Sequence, residues 1–180
     1  MRAALALFLL LATHCVNAQQ VSVEAHREGE AVLVEARAQL KADAQLAWAV
    51  LTDYGRYAQF VPDLTSSRIL ARAGNTVIVE QKGVAGFFLF HFPLEVRLAV
   101  TEKPYDEVGA RAISGNFKEM TGLYRLVPDG EDVRFTYSGR LVPAFGLPPL
   151  IGTAAVRIAV EKQFTALVRE ILRREKDKAS

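Results

Sequence analysis

PLIGTAAVRIAVEKQFTALVREILRREK, residues 149–176, carries the longest helical period in the chain. Its large apolar residues fall at Val156, Val160, Phe164, Leu167 and Ile171, three or four apart, so they share one stripe of a helix. Lys162, Arg169 and Arg173 fall opposite. Pro148 and Pro149 suit a helix entry, and Arg173, Arg174, Lys176 and Lys178 suit the negative end of the helix dipole. At about 1.5 Å per residue such a helix crosses a whole small domain. It needs a broad apolar partner, and the preceding chain reads almost entirely as strand.

Upstream, Val32, Val34, Ala36, Ala38 and Leu40 alternate with Glu35, Arg37 and Gln39 behind a shorter alternating run at 21–27, with Gly29 at the turn between them. Asp43 can cap a short helix from Ala44 that ends at Tyr54-Gly55, and a second short helix follows at 56–61. From Pro62 the period is two. Strands are expected around Ser67–Ala71, Val77–Gln81, Leu94–Val100, Val108–Ser114, Met120–Leu126 and Val133–Gly139, with turns at Gly74-Asn75 and Asp129-Gly130. Antiparallel strands with helices at either end of the run indicate an α+β fold: a curved antiparallel sheet wrapped around the long C-terminal helix, with two short helices after the first strands. A bent sheet that grips one helix leaves a hollow beside it.

The start of the chain sets the expected compartment. Arg2, the apolar run 3–12 and Val16-Asn17-Ala18 match a secretory signal cleaved after Ala18. Residues 1–18 are thus read as a signal peptide and 19–180 as one domain, exported to a bacterial periplasm. Cys15 is the only cysteine and leaves with the signal, so neither a disulfide nor thiol chemistry is expected. The signal carries one of 22 basic residues and none of 20 acidic ones, so the remainder is nearly balanced and gives no drive toward nucleic acid.

Ala47–Tyr54 (AWAVLTDY), followed by Tyr57, Phe60, Val61 and Pro62, resembles the START-like, helix-grip superfamily in its polyketide cyclase/dehydrase and coenzyme Q-binding branch. FKEMTGLY at 117–124 and PPLIG at 148–152 extend the likeness over roughly residues 30–174. The resemblance implies a cavity for a hydrophobic ligand between sheet and helix. The expected ligand-binding residues are Val79, Gln81, Leu98, Met120, Tyr124, Phe135 and Tyr137 from strands. Phe145 and Leu147 from a loop, and Thr153, Val156 and Val160 from the helix, complete the set. Tyr124, Tyr137 and Gln81 share the inward parity and could orient a polar head group.

Two apolar stretches, 86–93 and 143–149, lie between regular elements; residues 87–92 read either as the continuation of a strand covered on both faces or as an apolar rim. Phe87, Phe88, Phe90 and Phe92 are the expected cavity rim, with membrane-surface contact as a further role. Small residues at Gly152–Ala155 and Ala159 put the hollow beside the first half of the helix, and Phe164, Leu167 and Ile171 put packed core beside the second. Thr153 falls inside the apolar stripe and Ala159 on its flank. No catalytic residue, metal ligand set or cofactor motif is found: His26 and His91 stand apart from any second ligand. The expected function is an exported carrier of a lipid- or isoprenoid-like molecule. A cyclase/dehydratase acting on a bound aromatic compound is the alternative, and a protein-docking module is a third.

Overall fold

The computed structural model describes residues 21–87, 90–144 and 149–178. The signal segment, its cleavage site at Ala18, and Phe88, Phe145 and Leu147 lie outside the described residues. Eight strands form one antiparallel sheet: β1 (Ser22–Glu28), β2 (Ala31–Leu40), β3 (Leu64–Ala73), β4 (Thr76–Phe87), β5 (Phe90–Lys103), β6 (Glu107–Gly115), β7 (Phe117–Asp129) and β8 (Asp132–Pro143). Helices α1 (Ala44–Leu51) and α2 (Tyr57–Phe60), with a single 3-10 turn at Tyr54–Arg56 between them, join β2 to β3. The last element is α3 (Pro149–Lys178), 30 residues and so about 45 Å long.

The sheet order is β1-β2-β8-β7-β6-β5-β4-β3. Each neighbour in that row is a hairpin except β2–β8, where residues 32–40 pair with 133–141. The two short helices carry the chain from one side of the sheet to its far edge, and the curved sheet closes on α3. Asp43 caps α1 as its position suggests: Oδ1 accepts from the Leu46 amide at 2.9 Å. Strand alternation holds in β2, where Val32, Val34, Ala36, Ala38 and Leu40 are buried. It fails in β3. Ser67 is buried, yet Ile69, two residues on in the same unshifted run of pairs, is exposed on this edge strand.

Of the two readings of 86–93, the backbone of the described residues supports the strand. Phe87 pairs with Phe90 and Ala85 with Phe92, so the backbone of Phe87, Phe90 and Phe92 is strand. Antiparallel pairing satisfies these backbone groups, which a surface loop would leave to water.

All five stripe residues of α3 are buried. Phe164 stacks on Phe135 with centroids 4.6 Å apart and planes 12° from parallel, which makes this pair the packed centre of the core. The C-terminal half of α3 is also tied by charge. Arg174 reaches Asp53 Oδ2 and Glu170 Oε1, both at 2.7 Å, and Arg173 binds Glu170 from the other side at 2.8 Å. Hydrogen bonds from Arg173, then from Arg174, hold the Glu170 carboxyl down at about 2, against the opposing effect of its burial.

Candidate functional site

A cavity of about 160 Å³ opens between the sheet and the first half of α3. Its sheet wall comes from β3 to β8; α1, α2 and the turn Val61–Leu64 close one side, and Ala155, Val156, Ala159, Val160 and Gln163 close the other. The hollow exists because the helix presents methyl groups there, while Phe164 and Leu167 fill the space one turn further on.

Of the expected ligand-binding residues, Val79, Gln81, Leu98, Met120, Tyr124, Tyr137, Val156 and Val160 line this cavity together. Two do not. Phe135 is fully buried in its stack with Phe164 and belongs to the core. Thr153 is not among the lining residues, and Ala159, on the flank of the wheel, is. The lining arc of α3 is turned about 80° from the Phe164–Leu167–Ile171 stripe at 3.6 residues per turn. The helix therefore sits off-centre in the sheet, with core under its stripe and the hollow under its Ala155/Ala159 flank. Ala155 and Ala159, which the small-residue run put beside the hollow, line it, while Gln163 and, from the helical connection, Tyr54, Tyr57 and Val61 were missed by sequence reading. The aromatic segment 54–62 was the signal for the last three.

Polar groups in the wall are few. Tyr57 donates to the Leu51 carbonyl at 2.6 Å, and Tyr54 to Glu102 at 3.0 Å. Burial raises both phenols well above the ordinary tyrosine range. Gln81 Nε2 reaches Ser67 Oγ at 3.4 Å, and Ser67 in turn donates to the Tyr54 carbonyl at 2.6 Å. Tyr124 Oη accepts from Gln163 Nε2 at 3.1 Å. Tyr124 and Tyr137 lie opposite each other on β7 and β8, their ring centroids 4.6 Å apart. Burial pushes the Tyr124 phenol well up and the Tyr137 phenol up to about 12, so both keep their protons at neutral pH.

Asp63 is the one carboxylate in the lining among the described residues. It sits in the turn before β3 with φ of 68°, and its carbonyl accepts from the Val84 amide at 2.8 Å. Lys162, placed on the solvent side by the wheel, reaches back to Asp63 Oδ2 at 3.0 Å and ties α3 to this turn. Arg157 is exposed and pairs with Glu161 at 3.2 Å.

The family model for polyketide cyclase/dehydrase and lipid transport matches residues 40–168. The chain belongs to that family. The match begins at the end of β2 and stops within α3, so it holds both walls of the cavity and leaves β1 outside. No curated protein matches the chain in sequence. Among solved structures, the family fold recurs in the Zhui aromatase/cyclase of a Streptomyces species, at 18% identity and a TM-score of 0.69, covering 83% of this chain and 96% of that one. It recurs in a STAR-related lipid transfer protein of Xanthomonas axonopodis, at 19% identity and a TM-score of 0.69, covering 84% and 93%. Human STARD10 shares it at 13% identity and a TM-score of 0.67, covering 88% and 72%. These likenesses show that the chain has the helix-grip fold.

Proposed function

We propose that the chain binds and carries a small hydrophobic molecule in the cavity between sheet and C-terminal helix. The observation that carries this reading is the lining itself: aliphatic and aromatic side chains nearly throughout, with one ion-paired carboxylate at its edge. Apolar surface supplies affinity and the few polar groups supply orientation. An apolar cavity of about 150 Å³ takes up benzene, and drug-sized ligands occupy about 300–1,000 Å³. At about 160 Å³, the site suits a ring-sized molecule or the end of a longer one. Structural neighbours that include a lipid transfer protein and an aromatase/cyclase are in keeping with a site of this kind. The secretory pattern at residues 1–18 supports export of the carrier.

Carriage is favoured over catalysis by the wall chemistry. A cyclase needs a positioned acid or base near its substrate. Among the described residues the lining offers no imidazole, its carboxylate is engaged by Lys162, and burial holds its phenols protonated. Titration with the uncharged fluorophore N-phenylnaphthylamine tests the reading. Saturable one-to-one binding, displaced by small apolar compounds, is expected; no saturable binding by the folded protein would refute it.

A further inference from the structure

The wall of the cavity holds one buried polar group with nothing to bind. Tyr137 is 6% exposed and lines the cavity, yet its hydroxyl makes no hydrogen bond among the described residues. Every fully enclosed side-chain oxygen or nitrogen among those residues does have a partner. The Tyr137 hydroxyl is therefore reached from the hollow and is not sealed in the core. Its placement follows from two facing glycines. Gly122 and Gly139 pair across β7 and β8, and the Tyr137 ring lies over both. A Cβ at Gly122 would come within 2.8 Å of that ring, and one at Gly139 would overlap its hydroxyl. The ring thus leans along β8 into space that only glycine leaves.

Tyr124, beside it, accepts from Gln163, and its own proton is uncommitted among the described residues. A buried donor without a partner is costly unless a ligand supplies one. Among the described residues no lysine, arginine or histidine lines the cavity, and Asp63 at its edge is acidic. An anionic head group would be desolvated there without a counter-charge.

We propose that the carried molecule is uncharged and bears an oxygen acceptor, a ketone, quinone or ester carbonyl, that takes its hydrogen bond from Tyr137 with Tyr124 adjacent. This rests on the carrier reading and narrows its ligand class. Phosphate- and carboxylate-headed lipids are thereby disfavoured, and neutral carbonyl compounds are favoured over plain hydrocarbons.

The test uses three bicyclic probes of matched shape: acetylnaphthalene, ethylnaphthalene and naphthoate, each displacing N-phenylnaphthylamine near pH 8. The ketone should bind about three- to tenfold more tightly than the hydrocarbon, the yield of one net hydrogen bond. Naphthoate should be the weakest. Tyr137→Phe should bring the ketone to the hydrocarbon's affinity and leave the hydrocarbon within about twofold. The carbonyl stretch of acetylnaphthalene bound to the unaltered protein should move to lower wavenumber than in hexane, a readout that needs no variant. Equal binding of ketone and hydrocarbon, tightest binding of naphthoate, or an unshifted carbonyl stretch would overturn the proposal and leave the carrier reading standing. Failure of all three probes would overturn the carrier reading itself.

Discussion

Ala159→Leu separates a hollow from a packed wall. Ala159 lines the cavity on the flank of α3, and Leu adds three carbon atoms at that point. If they enter empty apolar space, burial yields up to about 2.4 kcal/mol at about 0.8 kcal/mol per methylene. If the wall is packed, overpacking costs about 1–3 kcal/mol. One kcal/mol moves the melting temperature of a domain this size by about 2–4 °C. The hollow therefore predicts melting unchanged or raised by a few degrees; a packed wall predicts a fall of about 2–12 °C by the same conversion. Binding of N-phenylnaphthylamine, measured on the same sample, should weaken at least about tenfold, because the added group occupies ligand space. Thr153→Leu is the control, since Thr153 is not in the lining: binding should stay within about twofold. An Ala159→Leu protein that melts lower and binds as before would refute the placement of the cavity.

Phe164→Ala should cost about 3–5 kcal/mol in urea melts, because it removes the centre of the stripe and its stack on Phe135; a loss below about 1 kcal/mol would mean the stack is not the core. Glu170 has its pKa lowered from 4.5 to about 2, so its contribution to stability is full above about 4.5 and is lost as pH falls toward about 2. The gap in melting temperature between the unaltered protein and Glu170→Gln should accordingly narrow over that interval, and a gap that stays constant or widens would contradict the assignment. Intact mass of the protein after export should correspond to a chain starting at Gln19; a product that keeps Cys15 with a lipid adduct would overturn the reading of residues 1–18.

The long helix was legible because its partner is extensive: a stripe from Val156 to Ile171 has no use except against a sheet, and the alternation in β2, β7 and β8 supplies one. Periodicity reports which face is buried and not what it is buried against. Strand parity accordingly placed Phe135 at the site, and the wheel placed Thr153 there. It could not show that α3 sits off-centre, which hands the cavity to Ala155 and Ala159 and leaves Phe135 to Phe164. In β3 the backbone period of two holds from Ser67 to Ile69, yet Ile69 is exposed at the edge of the sheet, because parity does not report what covers a face. At 86–93 composition left strand and apolar rim open, and backbone pairing of Phe87 with Phe90 and Ala85 with Phe92 supports the strand. The lean of Tyr137 was beyond sequence reasoning, since it depends on Gly122 and Gly139 facing each other across two strands.

Native mass spectrometry of the protein purified without detergent, with the bound material recovered by organic extraction, tests the carrier most directly. The expected spectrum shows a one-to-one complex with an uncharged apolar compound, absent from Ala159→Leu. If the protein emerges empty, and remains empty after incubation with neutral apolar extracts of its own cells, the cavity carries nothing and the proposed function is wrong.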